Sequence, residues 1–115
     1  MSLAEDQEDL VAALVAGGPV PPGFDAVLVA AAREALLRKR SGEVAAVWPW
    51  LAASPGPQWT VEFGRWAAGR PPNGALRDGL DFARDLSAAG RLPEAARAEL
   101  RRREKRGGWR RWLTR

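Results

Sequence analysis

Residues 44–66 read Val44-Ala-Ala-Val-Trp48-Pro49-Trp50-Leu51, then Ala-Ala-Ser-Pro-Gly-Pro-Gln58, then Trp59-Thr-Val-Glu-Phe63-Gly-Arg-Trp66. Trp59, Phe63, Trp66 and Ala67 follow one another at spacings of four, three and one, which places them on a single face of a helix. Pro49 lies inside an apolar helical pattern and removes a backbone hydrogen bond, so the spacing predicts a kink or break near Val47-Trp48. Ser54-Pro55-Gly56-Pro57 ends the segment. No stretch of the chain alternates with period two, and the helical period therefore decides the fold class as all-α.

Working outward, the first helix is predicted from about Leu3 to Ala16, with Leu10, Val11, Ala13 and Leu14 forming its apolar face. Its acidic first turn suits the helix dipole, and Gly17-Gly18-Pro19 ends it. Asp25 is placed to cap a second helix closing on Arg38-Lys39-Arg40, with Phe24 as a hydrophobic staple. Ser41 reads as the cap of a third helix through Ala53, the one that Pro49 interrupts. After Gly69-Arg70-Pro71-Pro72, Asn73 can cap a fifth helix whose Leu76, Gly79, Phe82, Ala83 and Leu86 share a side. Gly90 ends that helix, and Pro93 opens a sixth through about Arg106 with Leu92, Ala96 and Leu100 inward. The expectation is a compact bundle of five to six short helices, one Pro-kinked, over residues 1–106. A basic Trp/Arg tail over 107–115 follows Gly107-Gly108.

The chain has 115 residues, 46% of them apolar and 28% charged, the ordinary balance of one globular domain. Much of the apolar share is alanine, and six tryptophans supply the missing bulk. Absence of cysteine excludes disulfides and thiolate metal sites. The N-terminus is acidic where a signal peptide would be basic, and the longest apolar run, Ala26 to Ala32, is far short of a membrane span. A cytoplasmic location is expected, and a membrane partner is not. Arginine bias with abundant alanine points to a GC-rich bacterial genome.

Catalysis has little to work with, because histidine and tyrosine are absent as well. The expectation is therefore a non-enzyme without catalytic residues, metal or cofactor. Asp78, Asp81 and Asp85 share one helix face, but Arg77 and Arg84 interleave with them, and a solvated, salt-bridged face accounts for the pattern.

Charge is distributed unevenly. From residue 97 onward nine basic residues face two acidic ones, +7, which leaves −3 for residues 1–96 of a chain with net charge +4. Arg101, Arg102, Arg103, Lys105, Arg106, Arg110, Arg111 and Arg115, interleaved with Trp109 and Trp112, are candidates for binding nucleic acid or an acidic partner. Three readings stay open: the tryptophans stack on bases, the stretch lies on an anionic membrane surface, or the tryptophans pack back on the bundle while the arginines are solvated. Trp48 and Trp50 cannot both face inward on one regular helix. An exposed tryptophan beside a proline kink is a suitable partner anchor, and Trp48, Pro49 and Trp50, with Arg70, Pro71 and Pro72 of the neighbouring surface, are the candidate partner contacts.

Leu36-Leu37, Trp48-Pro49-Trp50-Leu51, the aromatic helix ending in Arg70-Pro71-Pro72, then Leu76, Gly79, Phe82 and Leu86, and Glu99-Leu100 together define a resemblance across residues 10–100. The chain resembles the N-terminal helical domain of a bacterial family that carries a DNA-binding label. Members of that family act as partners of multinuclear-iron enzymes that modify ribosomally made peptides, as in methanobactin biosynthesis. The resemblance implies a helical adaptor for a TIM-barrel iron enzyme and its precursor peptide, with the iron ligands on the enzyme. The family pattern has Phe-Pro where Trp48-Pro49 stands, and longer members add a domain with strands. Nucleic-acid binding through the tail is the alternative function.

Overall fold

The computed structural model of the protein describes the backbone of residues 3–16, 19 and 22–113, with side chains left out at 3–4, 12, 15–16 and 107–113. Among these residues the order is α1 (Leu3–Ala16), α2 (Ala26–Val47), α3 (Pro49–Ala53), a 3-10 turn (Gly56–Gln58), α4 (Trp59–Ala67), α5 (Ala75–Ala88) and α6 (Glu94–Leu113). The fold is all-α, as the periodicity predicts.

Asp25 caps α2 through its side chain, which accepts from the backbone N–H of Val27 at 2.8 Å and of Leu28 at 3.3 Å. Phe24, the expected staple, remains partly exposed. The break expected at Arg40-Ser41 is absent: α2 continues for 22 residues to Val47. Ser41 is buried and its hydroxyl donates back to the Arg38 carbonyl at 2.8 Å. It bonds within the helix instead of starting a new one. Burial of Arg40, Ser41 and Val44 on one face outweighs the weak propensity of Ser41-Gly42. α1 lies along the first half of α2, burying Ala13 and Val29, and Arg33 Nε donates to the Ala13 carbonyl at 2.9 Å.

Behind the second half of α2 sits the core of Val44, Trp48, Leu51, Trp59, Phe63, Ala67, Phe82, Ala83, Leu92, Ala96 and Leu100. Its centre is aromatic. Trp59 stacks on Phe63 with centroids 5.3 Å apart, and Phe82 meets Phe63 edge-on at 5.6 Å. Such pairs each contribute about 0.5–1.5 kcal/mol beyond area burial. The Trp59 indole N–H donates to the Ser41 carbonyl at 2.9 Å, tying α4 to the middle of α2. The expected stripes of α4 and α6 are thus inward, although Leu76 of the α5 set is exposed.

Asn73 is not the cap of α5. Gly74 occupies that position, at φ 87°, and the Asn73 backbone N–H instead donates to Asp78 Oδ1 at 3.2 Å. Gly90 does close the helix, at φ 69°, a left-handed geometry that favours glycine. α6 does not stop at Arg106 but runs through Gly107-Gly108 to Leu113. Two glycines weaken a helix by about 1 kcal/mol each relative to alanine without removing any backbone donor.

Candidate functional site

The Trp48-Pro49-Trp50 junction is built by three helices. α2 ends where Pro49 has no N–H to continue it. Trp48 N still bonds to the Val44 carbonyl at 2.7 Å, and Pro49 then starts α3, where a missing donor is harmless. α3 has no side-chain cap of its own. Glu99 of α6 supplies one: its carboxylate accepts from Trp50 N at 3.1 Å and from Leu51 N at 2.8 Å. Arg103, one turn further along α6, donates to the Val47 carbonyl left at the end of α2 at 2.5 Å. Its guanidinium also lies 5.4 Å from the centroid of the Trp48 ring. Both broken ends of the backbone are therefore satisfied from one helix, by charge-assisted bonds.

The two tryptophans part company here. Trp48 is fully buried, with its indole N–H donating to the Leu76 carbonyl at 3.2 Å and its ring packed against Gly79. Its side chain is a core element and is not presented to a partner, which corrects its place among the candidate contacts. Trp50 points outward with 54% of its surface exposed. It lines a surface notch with Pro49, Glu99, Arg102, Arg103 and Arg106. The structure thus brings part of the Pro-kinked segment and part of the basic helix together.

Arg70, Pro71 and Pro72 are elsewhere and engaged in other work. Arg70 packs its guanidinium over Trp66, 4.4 Å from the ring centroid, and reaches Asp85 at 3.6 Å. Asp85 also accepts the Trp66 indole N–H at 2.7 Å. The carbonyls of Arg70 and Pro71 accept from Arg40 at 2.7 and 3.4 Å, while Pro72 lines a shallow cavity with Leu14, Leu36 and Leu37.

Arg40 is the centre of that arrangement. Its Nε and Nη2 donate to the two oxygens of Asp78 at 2.8 and 3.2 Å, and both side chains are buried. The expectation of a solvated acidic face fails at Asp78, because the carboxylate turns inward to a cation 38 residues away. Asp81 does follow the expectation, pairing with Arg77 at 3.1 Å. Among the described residues no group of three or more acidic side chains is placed to hold a metal ion. None of the described buried side-chain polar atoms lacks a partner.

Along α6 part of the charge is neutralised in ion pairs. Arg101 donates to Glu94 at 2.9 Å, which with its Coulomb attraction and that of Arg97 holds the Glu94 carboxyl below the usual carboxylate range. Glu104 takes Arg84 from α5 at 2.9 Å. Arg102, Lys105 and Arg106 are exposed and have no ion pair among the described residues. Trp109, Arg110, Arg111 and Trp112 lie on α6 with side chains outside the described residues, as does the whole of Arg115.

A family model described as SCO6045-like, C-terminal domain, matches residues 4–88. The chain belongs to that family. A UPF0276 protein of Streptomyces avermitilis is 44% identical over 114 residues, which cover 98% of this chain and 22% of the relative. The chain therefore spans about a fifth of the length of this curated relative. No solved structure matches it. Within this SCO6045-like domain α1, from its second residue, to α5 lie in the family match, whereas α6 lies beyond it and inside the stretch aligned with the relative. No described helix is long and apolar enough to cross a membrane.

Sequence reasoning missed Arg40, Asp78 and Glu99 as builders and read Arg103 only as a candidate contact for nucleic acid or an acidic partner. Signals for two of them exist. Arg40 stands four residues before Val44 and eight before Trp48, a charge in an inward stripe, and such a charge requires a buried partner. A helix that begins Trp-Pro without Ser, Thr, Asp or Asn before it must find its cap elsewhere.

Proposed function

We propose that this SCO6045-like domain is a non-catalytic helical docking domain that holds a larger protein through the α3–α6 surface. The observation that carries the reading is Trp50: a large aromatic residue, half exposed, on a backbone fixed from both sides by Glu99 and Arg103. Rigid, exposed aromatic side chains make favourable anchors because little conformational entropy is lost when they are covered. The Streptomyces relative supports it too, since most of that chain lies outside the aligned segment. Domains of this type therefore occur joined to much larger polypeptides. The absence of histidine, cysteine and tyrosine supports a role without chemistry of its own.

The partner class favoured by the family resemblance is a TIM-barrel, multinuclear-iron enzyme that modifies ribosomal peptides, with the metal held by the enzyme. Co-expression with such an enzyme encoded beside this chain tests it. The expected result is co-elution at fixed stoichiometry, with Trp50→Ala weakening the complex by roughly thirty-fold, as loss of an anchor of about 2 kcal/mol requires. Val61→Ala, at another exposed apolar position, leaves it intact. Failure to form any complex with a folded, iron-loaded enzyme overturns the reading.

A further inference from the structure

The notch beside Trp50 is chemically lopsided. Of the four charged groups lining it, Glu99 and Arg103 are committed to the protein's own backbone. Arg102 and Arg106 are exposed and make no ion pair or hydrogen bond among the described residues. They stand four residues apart on α6, on the same helix face, with the indole of Trp50 and the ring of Pro49 as the apolar wall. The free chemistry of the notch is thus two guanidiniums around one hydrophobic platform.

We infer that this notch is the binding site for an acidic segment of the partner protein, one that places two carboxylates astride an apolar side chain. The assignment rests on the docking function proposed above and specifies what the docking surface recognises. Guanidinium forks match carboxylates in geometry as well as charge, and the apolar side chain covers Trp50. A nucleic acid would need a cationic track along its backbone. Among the described residues on the N-terminal side of the notch the cations do not extend one: Arg97 and Arg101 are drawn to Glu94, and Arg84 to Glu104. Among the described residues the cations of this stretch of α6 without an ion pair are Arg102, Arg103, Lys105 and Arg106, and of these Arg103 is held by the Val47 carbonyl.

The test titrates the full chain, labelled with nitrogen-15, with three probes. They are a short synthetic peptide carrying glutamates on both sides of a leucine, the same peptide with glutamine for glutamate, and a single-stranded oligonucleotide. The expected result is saturable movement of the Trp50 indole signal and of the Arg102 and Arg106 amides with the glutamate peptide alone. The double variant Arg102→Glu, Arg106→Glu weakens it at least about tenfold, and Arg102→Gln, Arg106→Gln does so to a smaller degree, with the remaining spectrum unchanged. Equal binding of the two peptides, indifference to charge reversal, no peptide binding, or binding of the oligonucleotide alone overturns the assignment. If the enzyme complex is lost in Trp50→Ala but survives charge reversal at 102 and 106, the acidic-segment assignment falls and the docking function stands. If the peptide binds as expected and no enzyme complex forms, the reverse holds.

Discussion

Gly79→Ala sets two well-understood effects against each other. In a helix interior the change is ordinarily favourable by about 1 kcal/mol, because alanine loses less backbone freedom than glycine. At position 79 a new Cβ meets the Trp48 ring, 2.7 Å from Cγ and nearer still to Cδ1 and Nε1. The ring has nowhere to go: Trp48 is fully buried, its N–H is bonded to the Leu76 carbonyl at 3.2 Å, and Arg103 covers it. Overpacking of this kind costs about 1–3 kcal/mol, and a strained indole hydrogen bond adds about 1. Net destabilisation of about 1–3 kcal/mol is expected, a fall in Tm of about 4–12 °C for a chain of this size. Urea unfolding followed by circular dichroism gives the difference directly. Gly64→Ala is the internal control, since it is helical with open space around it and should be neutral or stabilising. If Gly79→Ala proves as stable as Gly64→Ala, the ring is not held as described, and the account of the α2–α3 junction fails with it.

Other expectations follow from the same contacts. Glu99→Gln retains one acceptor for two backbone donors and removes the charge. It should cost about 1–3 kcal/mol and speed hydrogen exchange at the amides of Trp50 and Leu51 while sparing α4. Arg40→Ala leaves Asp78 buried and unpaired, with an expected loss of about 3–5 kcal/mol. Arg101→Ala, by contrast, breaks a pair in solvent and should change stability far less, a ranking that thermal melts would confirm or reverse. Glu94, whose carboxyl is held below its ordinary value of 4.5 by the Arg101 hydrogen bond, favours the folded state above that value. The contribution is lost as pH falls through the lowered folded value, and carbon-detected NMR titration should show Arg101→Ala moving the midpoint upward.

Helix positions were legible because they rest on local rules: the spacing of Trp59, Phe63 and Trp66, the proline at 49, the glycine at 90. Two of the errors lie where distant residues override those rules. Ser41 has the chemistry of a cap, yet burial against α4 kept it inside a helix. Asp78 has the spacing of a solvated acid, but its partner is 38 residues earlier in the chain. Of the candidate site, the outward tryptophan and the basic helix could each be read from sequence. Their meeting could not, because it depends on Glu99 and Arg103 reaching back to Val47, Trp50 and Leu51 across about half the chain.

That reach has a consequence for biosynthesis. The residues that shape the turn around Trp50 are made long after it, separated by 49 positions for Glu99 and 56 for the Arg103–Val47 contact. A nascent chain ending before α6 would contain every residue of the Trp48–Leu51 motif with its backbone ends unmet. Such a chain would hold the sequence of the anchor without its shape. Recognition through Trp50 would then report that translation and folding of the domain are finished, so a partner selecting for this surface would also be selecting against incomplete copies.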